Sequence, residues 1–230
     1  MNQPSHPSNL KDLYDDTYAC RLLAREESRR IRPILAHVTL PVGAKILDVG
    51  CGNGPLAGLL AQRIGEYHGV DFSEAFVKQA RRLADEQGLV NCQFHVGDVV
   101  DFIDQHPGQF DAVFALDISE HVPDAEWAPI VAAFERALKP GGQVIAHTPN
   151  LDFFIERMKE RGIFLKQFPE HVAVRTAVQN MVFLEYAGLS SVQVRYLPHY
   201  NVLRALHPLS KIPGIGRFFA ARLLLTATRE

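Results

Sequence analysis

The sequence predicts an open α/β sheet, doubly wound and mostly parallel, with helices on both faces. Three observations carry this expectation. Short apolar runs alternate with amphipathic stretches of helical length between residues 44 and 148, and such alternation needs right-handed crossovers between parallel strands. Acidic residues stand at or just past the ends of the apolar runs: Asp48, Asp71, Asp98 and Asp117. A glycine-rich turn, Gly50-Cys51-Gly52-Asn53-Gly54, follows the first run. In sheets of this class ligands bind beyond the carboxyl ends of the strands, so four carboxylates gathering there point to a site.

The elements follow in chain order. Residues 1–9 are polar and contain proline, and read as a flexible terminus. Residues 10–230 read as one domain, opening on a helical cap over 10–40 with Leu13, Leu22, Leu23, Ile31 and Ile34 as apolar points. Arg21, Arg25 and Arg29 repeat every four residues on that cap, but Glu26 and Glu27 interleave with them, which describes a solvated face. Strands are expected at 44–49, 66–71, 92–96, 110–116 and 142–148, with helices at 55–64, 73–87, 99–105 and 124–138. Ser73 before Glu74 is a helix start, and Gly88 a stop. Lys139-Pro140-Gly141-Gly142 breaks the chain before the fifth strand. Beyond Pro149 the alternation loosens into a segment, 151–175, holding Phe153, Phe154, Ile155, Met158, Phe164 and Phe168 among charged residues. It reads as an inserted lid or pocket wall. Its Lys159, Arg161 and Lys166 also suit contact with a membrane surface, the less favoured reading. A helix over 175–187, stopped by Gly188, and strands at 191–197 and 223–228 complete seven strands.

Composition narrows the function. A formal net charge of −2 gives no general attraction to nucleic acid. Cys20, Cys51 and Cys92 form no paired framework, which suits a reducing compartment. The N-terminus has no basic and apolar signal-peptide pattern, and no run approaches the ~18 apolar residues of a membrane span. A cytoplasmic protein is expected.

The glycine loop narrows it further. An acid such as Asp71, about twenty residues past the loop, can hold a ribose diol, so a nucleoside-bearing cofactor is expected. Pro55 stands where a dinucleotide fingerprint needs small residues, and no Lys-Ser/Thr follows as in a P-loop. The Asp48-x-Gly50-x-Gly52-x-Gly54 pattern instead resembles motif I of the class I S-adenosylmethionine-dependent methyltransferases. So do Gly97-Asp98-Val99, Phe110–Leu116 and the Leu138–Gly142 turn in their respective motifs. The resemblance extends over roughly 44–228, with its informative motifs in 46–150. It implies a Rossmann-like seven-stranded sheet with the last strand antiparallel, S-adenosyl-L-methionine as cofactor, and a small-molecule acceptor. Carried over residue by residue, it places Asp48, Gly50, Gly52 and Gly54 around the methionine half and Asp71 on the ribose. Phe72 and Leu116 would line the site, and Asp98 with Val99 would meet the adenine. Tyr14 and Tyr18 match a region that often folds over the cofactor. The Asn/Asp-Pro-Pro-Tyr/Phe motif of DNA amino-methyltransferases is absent, and Asp117-Ile118-Ser119-Glu120 stands in its place. No nucleic-acid substrate is expected.

Methyl transfer to a hydroxyl, the most favoured chemistry, needs alignment and a base. N-methylation and cofactor binding without turnover are the alternatives, and a nicotinamide-dependent reductase a more distant one. His121, after the fourth strand, is the first candidate base, and His171 in the inserted segment the second. His147 lies inside a strand and reads as core or pocket wall. Asp117, Glu120 and His121 resemble the Glu-x-x-Glu-His stretch of ubiquinone-pathway O-methyltransferases, where a divalent ion is implied. Three adjacent candidates do not assign a metal site, and none is assigned from sequence.

Overall fold

The computed structural model describes residues 24–163, 166, 168 and 170–230, with residues 24–29 described at backbone level. Tyr14, Tyr18 and Phe164 lie outside the described residues. Seven strands form one sheet: β1 (Lys45–Val49), β2 (Glu66–Asp71), β3 (Cys92–Val96), β4 (Phe110–Leu116), β5 (Leu138–Pro149), β6 (Ser190–Leu197) and β7 (Arg222–Thr228). Their order is β3-β2-β1-β4-β5-β7-β6. β7 runs antiparallel to both its neighbours, and the pairs from β3 through β5 are parallel. The strand order reverses between β1 and β4, and this switch point is where a crevice opens in such sheets.

Alternating side chains on each strand feed two cores. On one face Leu47, Val49 and Val113 pack with Ile103 of α4 (Val99–Gln105), Phe134 of α5 (Asp124–Ala137) and Leu184 of α7 (Ala177–Tyr186). On the other, Ile46 and Phe114 meet Ile34 of α1 (Ala24–Leu35), Leu56 of α2 (Pro55–Leu60) and Val77 of α3 (Glu74–Gln87). Local signals set the helix ends. The Ser73 side chain accepts from Phe76 N at the start of α3, and Gly88 ends it in a left-handed conformation. Thr176 and Gln179 form a reciprocal capping box at α7.

Two boundaries differ from expectation. The helix after the glycine loop is α2 followed by a 3₁₀ turn, Ala61–Arg63. β5 starts at Leu138, which already pairs with Phe110, and the register then shifts so that Ala112 faces Gln143. Pro140-Gly141-Gly142 is therefore a bulge within the strand. The inserted segment contributes α6 (Phe154–Glu160), and residues between β6 and β7 form two 3₁₀ stretches, Val202–Lys211 and Gly216–Phe219.

Candidate active site

A cavity of about 920 Å³ opens at the carboxyl edge of the sheet beside the switch point. Asp48, Asp71, Asp98 and Asp117 all stand in its wall, as their places at strand ends require.

At one end the glycine loop leaves β1 and folds back onto β2, with Gly50 N and Cys51 N donating to Val70 O at 2.8 and 3.2 Å. Gly50 has φ 66°, and a Cβ there would meet Ile118 Cδ1 at 2.6 Å, so only glycine fits. Asp71 fastens the turn. Its Oδ2 accepts from Gly52 N and its Oδ1 from Ser73 N, each at 2.9 Å. Burial raises the Asp71 carboxyl, and the two backbone donors oppose that rise. Asp48 is buried and accepts from the Tyr67 hydroxyl. Burial pushes its carboxyl up to about 7 against the Tyr67 bond, with help from the charge of Asp71.

Phe72, Val99 and Leu116 also stand in the wall. Asp98 does so while its Oδ1 accepts from Val100 N at 2.7 Å and Asp101 N at 3.3 Å, so it caps α4 as well. Gly54 departs from the sequence expectation: it is not in the cavity wall. It caps α2 with φ 78°, and a Cβ there would meet Phe94 at 2.9 Å. Its smallness serves packing against β3.

The other end is built after β4. Asp117 takes a left-handed conformation, φ 54°, with its carboxylate among cations. Its Oδ1 accepts from His147 Nδ1 at 2.8 Å and from Arg222 at 3.3 Å, and its Oδ2 from Arg30. Burial alone would raise this carboxyl, but His147, Arg222 and Arg30 outweigh it and hold it below the usual carboxylate range. The 3₁₀ turn Ser119–His121 follows. Burial first, then the Asp117 charge, pushes Glu120 up to about 8. The Thr148 hydroxyl donates to Glu120 Oε2 at 3.2 Å.

Residues 170–175 lie against this turn. Ala173 N donates to Glu120 O at 3.0 Å, and His121 Nδ1–H donates to Glu170 O at 2.9 Å. That bond makes Nε2 the basic nitrogen of His121. His171 meets the His121 ring edge-on at 5.0 Å. Burial lowers both imidazoles, and with His121 beside it His171 falls to about 4. Ligand atoms of Glu120, His121 and His171 lie within 4.8 Å of one another. Both candidate bases thus share one cluster with Glu120, while Asp117 is drawn away into its own cationic network. Asp117, three residues from Glu120 in the chain, stands outside the cluster that Glu120 forms with the two histidines.

The cluster fits a hard or borderline divalent cation. Two imidazoles stay neutral, the cation nearest buried Glu120 among the described residues is Arg222 at 4.0 Å, and His171 Nδ1 is buried with no hydrogen-bond partner among the described residues.

Sequence reasoning passed over four residues, Arg175, Tyr200, Arg30 and Arg222. Arg175 is buried, and its Nη1 and Nη2 donate to Ser119 O at 2.6 Å and Val122 O at 2.7 Å, with Nε donating to Asp124 Oδ1 at 2.8 Å. It pins the His171 segment to the Glu120 turn. Tyr200 donates its hydroxyl to His147 Nε2 at 3.2 Å, and the guanidinium carbons of Arg30 and Arg222 lie 4.8 and 4.7 Å from its ring centroid. No local motif marks these residues.

The sheet, the glycine loop and the ribose-type acid define a Rossmann-like domain built for a nucleoside cofactor. Residues 46–142, the stretch that holds the glycine loop, Asp71 and Asp98, match the model of a methyltransferase domain family. Among curated proteins, ubiquinone biosynthesis O-methyltransferase of Acinetobacter baylyi is 36% identical over 53% of this chain and 50% of its own length. That of Thiobacillus denitrificans is 42% identical over 47% and 45%. The chain therefore spans about half the length of the curated relatives it matches. A solved methyltransferase from Archaeoglobus fulgidus superposes with a TM-score of 0.71 at 17% identity, covering 91% of this chain and 96% of that one. At that identity the likeness speaks for the fold.

Proposed function

We propose that this protein transfers a methyl group from S-adenosyl-L-methionine to a hydroxyl of a small-molecule acceptor. One observation carries the reading: the Glu120, His121 and His171 cluster shares a single cavity with the glycine loop and Asp71. The volume suits a cofactor together with a modest acceptor. The O-methyltransferase relatives support oxygen as the accepting atom, and Glu120 and His121 lie within the stretch that matches the methyltransferase domain model.

The chain's residues divide the work. Asp71 accepts from a ribose diol while tying down Gly52. Asp48 faces the cofactor's ammonium, a cation that would draw its raised carboxyl back to the ionised form. Asp98 and Phe72 bound the adenine. S-adenosylmethionine supplies a methyl group already activated by a sulfonium, so the protein's share is alignment, exclusion of water and removal of the acceptor proton. His121 Nε2 is the base, oriented through Nδ1 by the Glu170 carbonyl and kept neutral by burial. His171 lies beside it and positions the acceptor. Were Glu120, His121 and His171 to hold a divalent cation instead, His121 Nε2 would be a ligand and not the base, and the cation would lower the pKa of a hydroxyl bound to it.

The test is transfer of a labelled methyl group to matched acceptors that differ in carrying a hydroxyl or an amine. Methylation of the hydroxyl series, dependent on His121, is expected. Transfer to amines alone, at an undiminished rate in His121→Ala, would replace the reading with N-methylation.

A further inference from the structure

Charge is distributed unevenly along this chain. Residues 186–229 contain no Asp or Glu and hold six of the 24 Lys and Arg, while all 26 acids lie elsewhere. A segment of formal charge +6 is thus attached to a body of −8; Arg222 and Arg229 pair with Asp117 and Glu135, and Arg195, Arg204, Lys211 and Arg217 are exposed. Most of the acid-free stretch outside the strands is the connection from β6 to β7. Both strands pair within the sheet so that β6 ends, and β7 begins, at the carboxyl edge where the cavity opens. Arg222, at the start of β7, is in the cavity wall.

This connection presents apolar side chains to solvent. Val202 is 85% exposed, Ile212 41% and Ile215 48%, and no residue of Val202–Lys211 is buried. Arg204, Lys211 and Arg217 are exposed among them. Phe219 packs its ring 6.1 Å from that of Phe154, which sets the connection beside α6. By contrast Lys159 of α6 is paired with Glu156 at 2.7 Å and lies over the Phe168 ring, so it points into the protein's own contacts. Arg161 and Ile163 are exposed at the end of α6 as well, but Glu160 stands beside them, so the acid-free surface is the β6–β7 connection.

We infer that this connection docks on an anionic phospholipid bilayer. Val202, Ile212 and Ile215 enter the interface, and Arg204, Lys211 and Arg217 face the lipid phosphates. Apolar side chains interleaved with cations and free of acids are what an interfacial segment requires. The absence of acid from residues 198–221 favours an anionic surface as the occupant. Docked in this way, the carboxyl edge and its cavity face the lipid.

The test uses the full chain and sedimentation with vesicles of phosphatidylcholine, with or without phosphatidylglycerol. Sedimentation with the anionic vesicles alone, weakened by salt, is expected. Each cation near such a surface contributes about fivefold to binding. The triple variant Arg204→Glu, Lys211→Glu, Arg217→Glu should therefore bind at least about a hundredfold more weakly. Ile212→Asp with Ile215→Asp should weaken it too. Circular dichroism and S-adenosylhomocysteine affinity should be unchanged in both variants, because these side chains are exposed and outside the cavity wall. Absence of sedimentation with anionic vesicles, or parental sedimentation of both variants, overturns the proposal. A solution dimer that either variant dissociates would assign the face to a second copy and overturn it as well. No outcome depends on turnover, so the result is separate from the methyl-transfer reading.

Discussion

Replacing Asp71 with alanine should have two effects that separate cleanly in measurement. The carboxylate is 7% exposed and receives two backbone N–H bonds, from Gly52 and Ser73, each at 2.9 Å. If it also accepts from a ribose diol, its loss removes hydrogen bonds to a charged group, worth about 1.5–3 kcal/mol of cofactor binding. That is a loss of roughly 10- to 150-fold in affinity. The same substitution leaves the Gly52 and Ser73 amides without an acceptor, at about 1–3 kcal/mol for each that stays buried. Water entering the vacated space offsets part of that cost. Calorimetry with S-adenosylhomocysteine reads the first effect, and thermal unfolding without ligand reads the second. Asp71→Asn keeps one carbonyl oxygen, so it should fall between the parent and Asp71→Ala in both. A lowered Tm with unchanged affinity would refute the ribose assignment and leave Asp71 as a tie for the loop alone.

Three further outcomes follow from the same site. Because the Asp48 carboxyl sits at about 7, a cationic ammonium beside it lowers that value and releases a proton. Affinity for S-adenosylhomocysteine should therefore rise as pH increases through neutrality, with proton release visible in buffers of different ionisation enthalpy, and Asp48→Asn should abolish the release. His121→Ala should lower kcat by about 10²–10⁴-fold with cofactor affinity nearly unchanged. Burial lowers the His121 imidazole, so the parent's kcat/KM should rise with pH below the ordinary value of about 6.5 and level off above it. Arg175→Met strips the Ser119 and Val122 carbonyls of their buried donor, which should cost about 2–4 kcal/mol in denaturant unfolding. It should also lower kcat more than Arg175→Lys does; equal kcat in parent and Arg175→Met would show that His171 needs no such anchor.

Where the chemistry was local, the sequence already displayed it. The apolar runs 46–49 and 110–116 are β1 and β4 because their alternate residues fill two different cores. Ser73 and Gly88 marked the ends of α3 through capping and a left-handed turn, both properties of the residue itself. Asp48, Gly50, Gly52 and Asp71 were visible because a strand, a tight turn and the next strand lie within thirty residues of chain. Gly54 belonged to the same pattern, yet its reason is contact with Phe94 forty residues away. Arg175 was invisible for a similar reason. Its acceptors lie 51 to 56 residues earlier, and nothing near it in sequence hints at them. Tyr200 reaches His147 across a similar 53 residues, and Arg222 reaches Asp117 and Tyr200 reaches Arg30 across longer separations still. The separation of Asp117 from Glu120 and His121 is also a tertiary effect, since β5 and β7 deliver the His147 and Arg222 that capture it.

The central claim is that the methyl-bearing end of the cofactor faces the Glu120, His121 and His171 cluster. A crystal structure with S-adenosylhomocysteine tests it most directly. The expected complex has the ribose on Asp71, the ammonium beside Asp48, and the sulfur opening onto the space bounded by His121 and His171. A homocysteine moiety that fills that space, or a sulfur directed away from both histidines, would contradict the assignment.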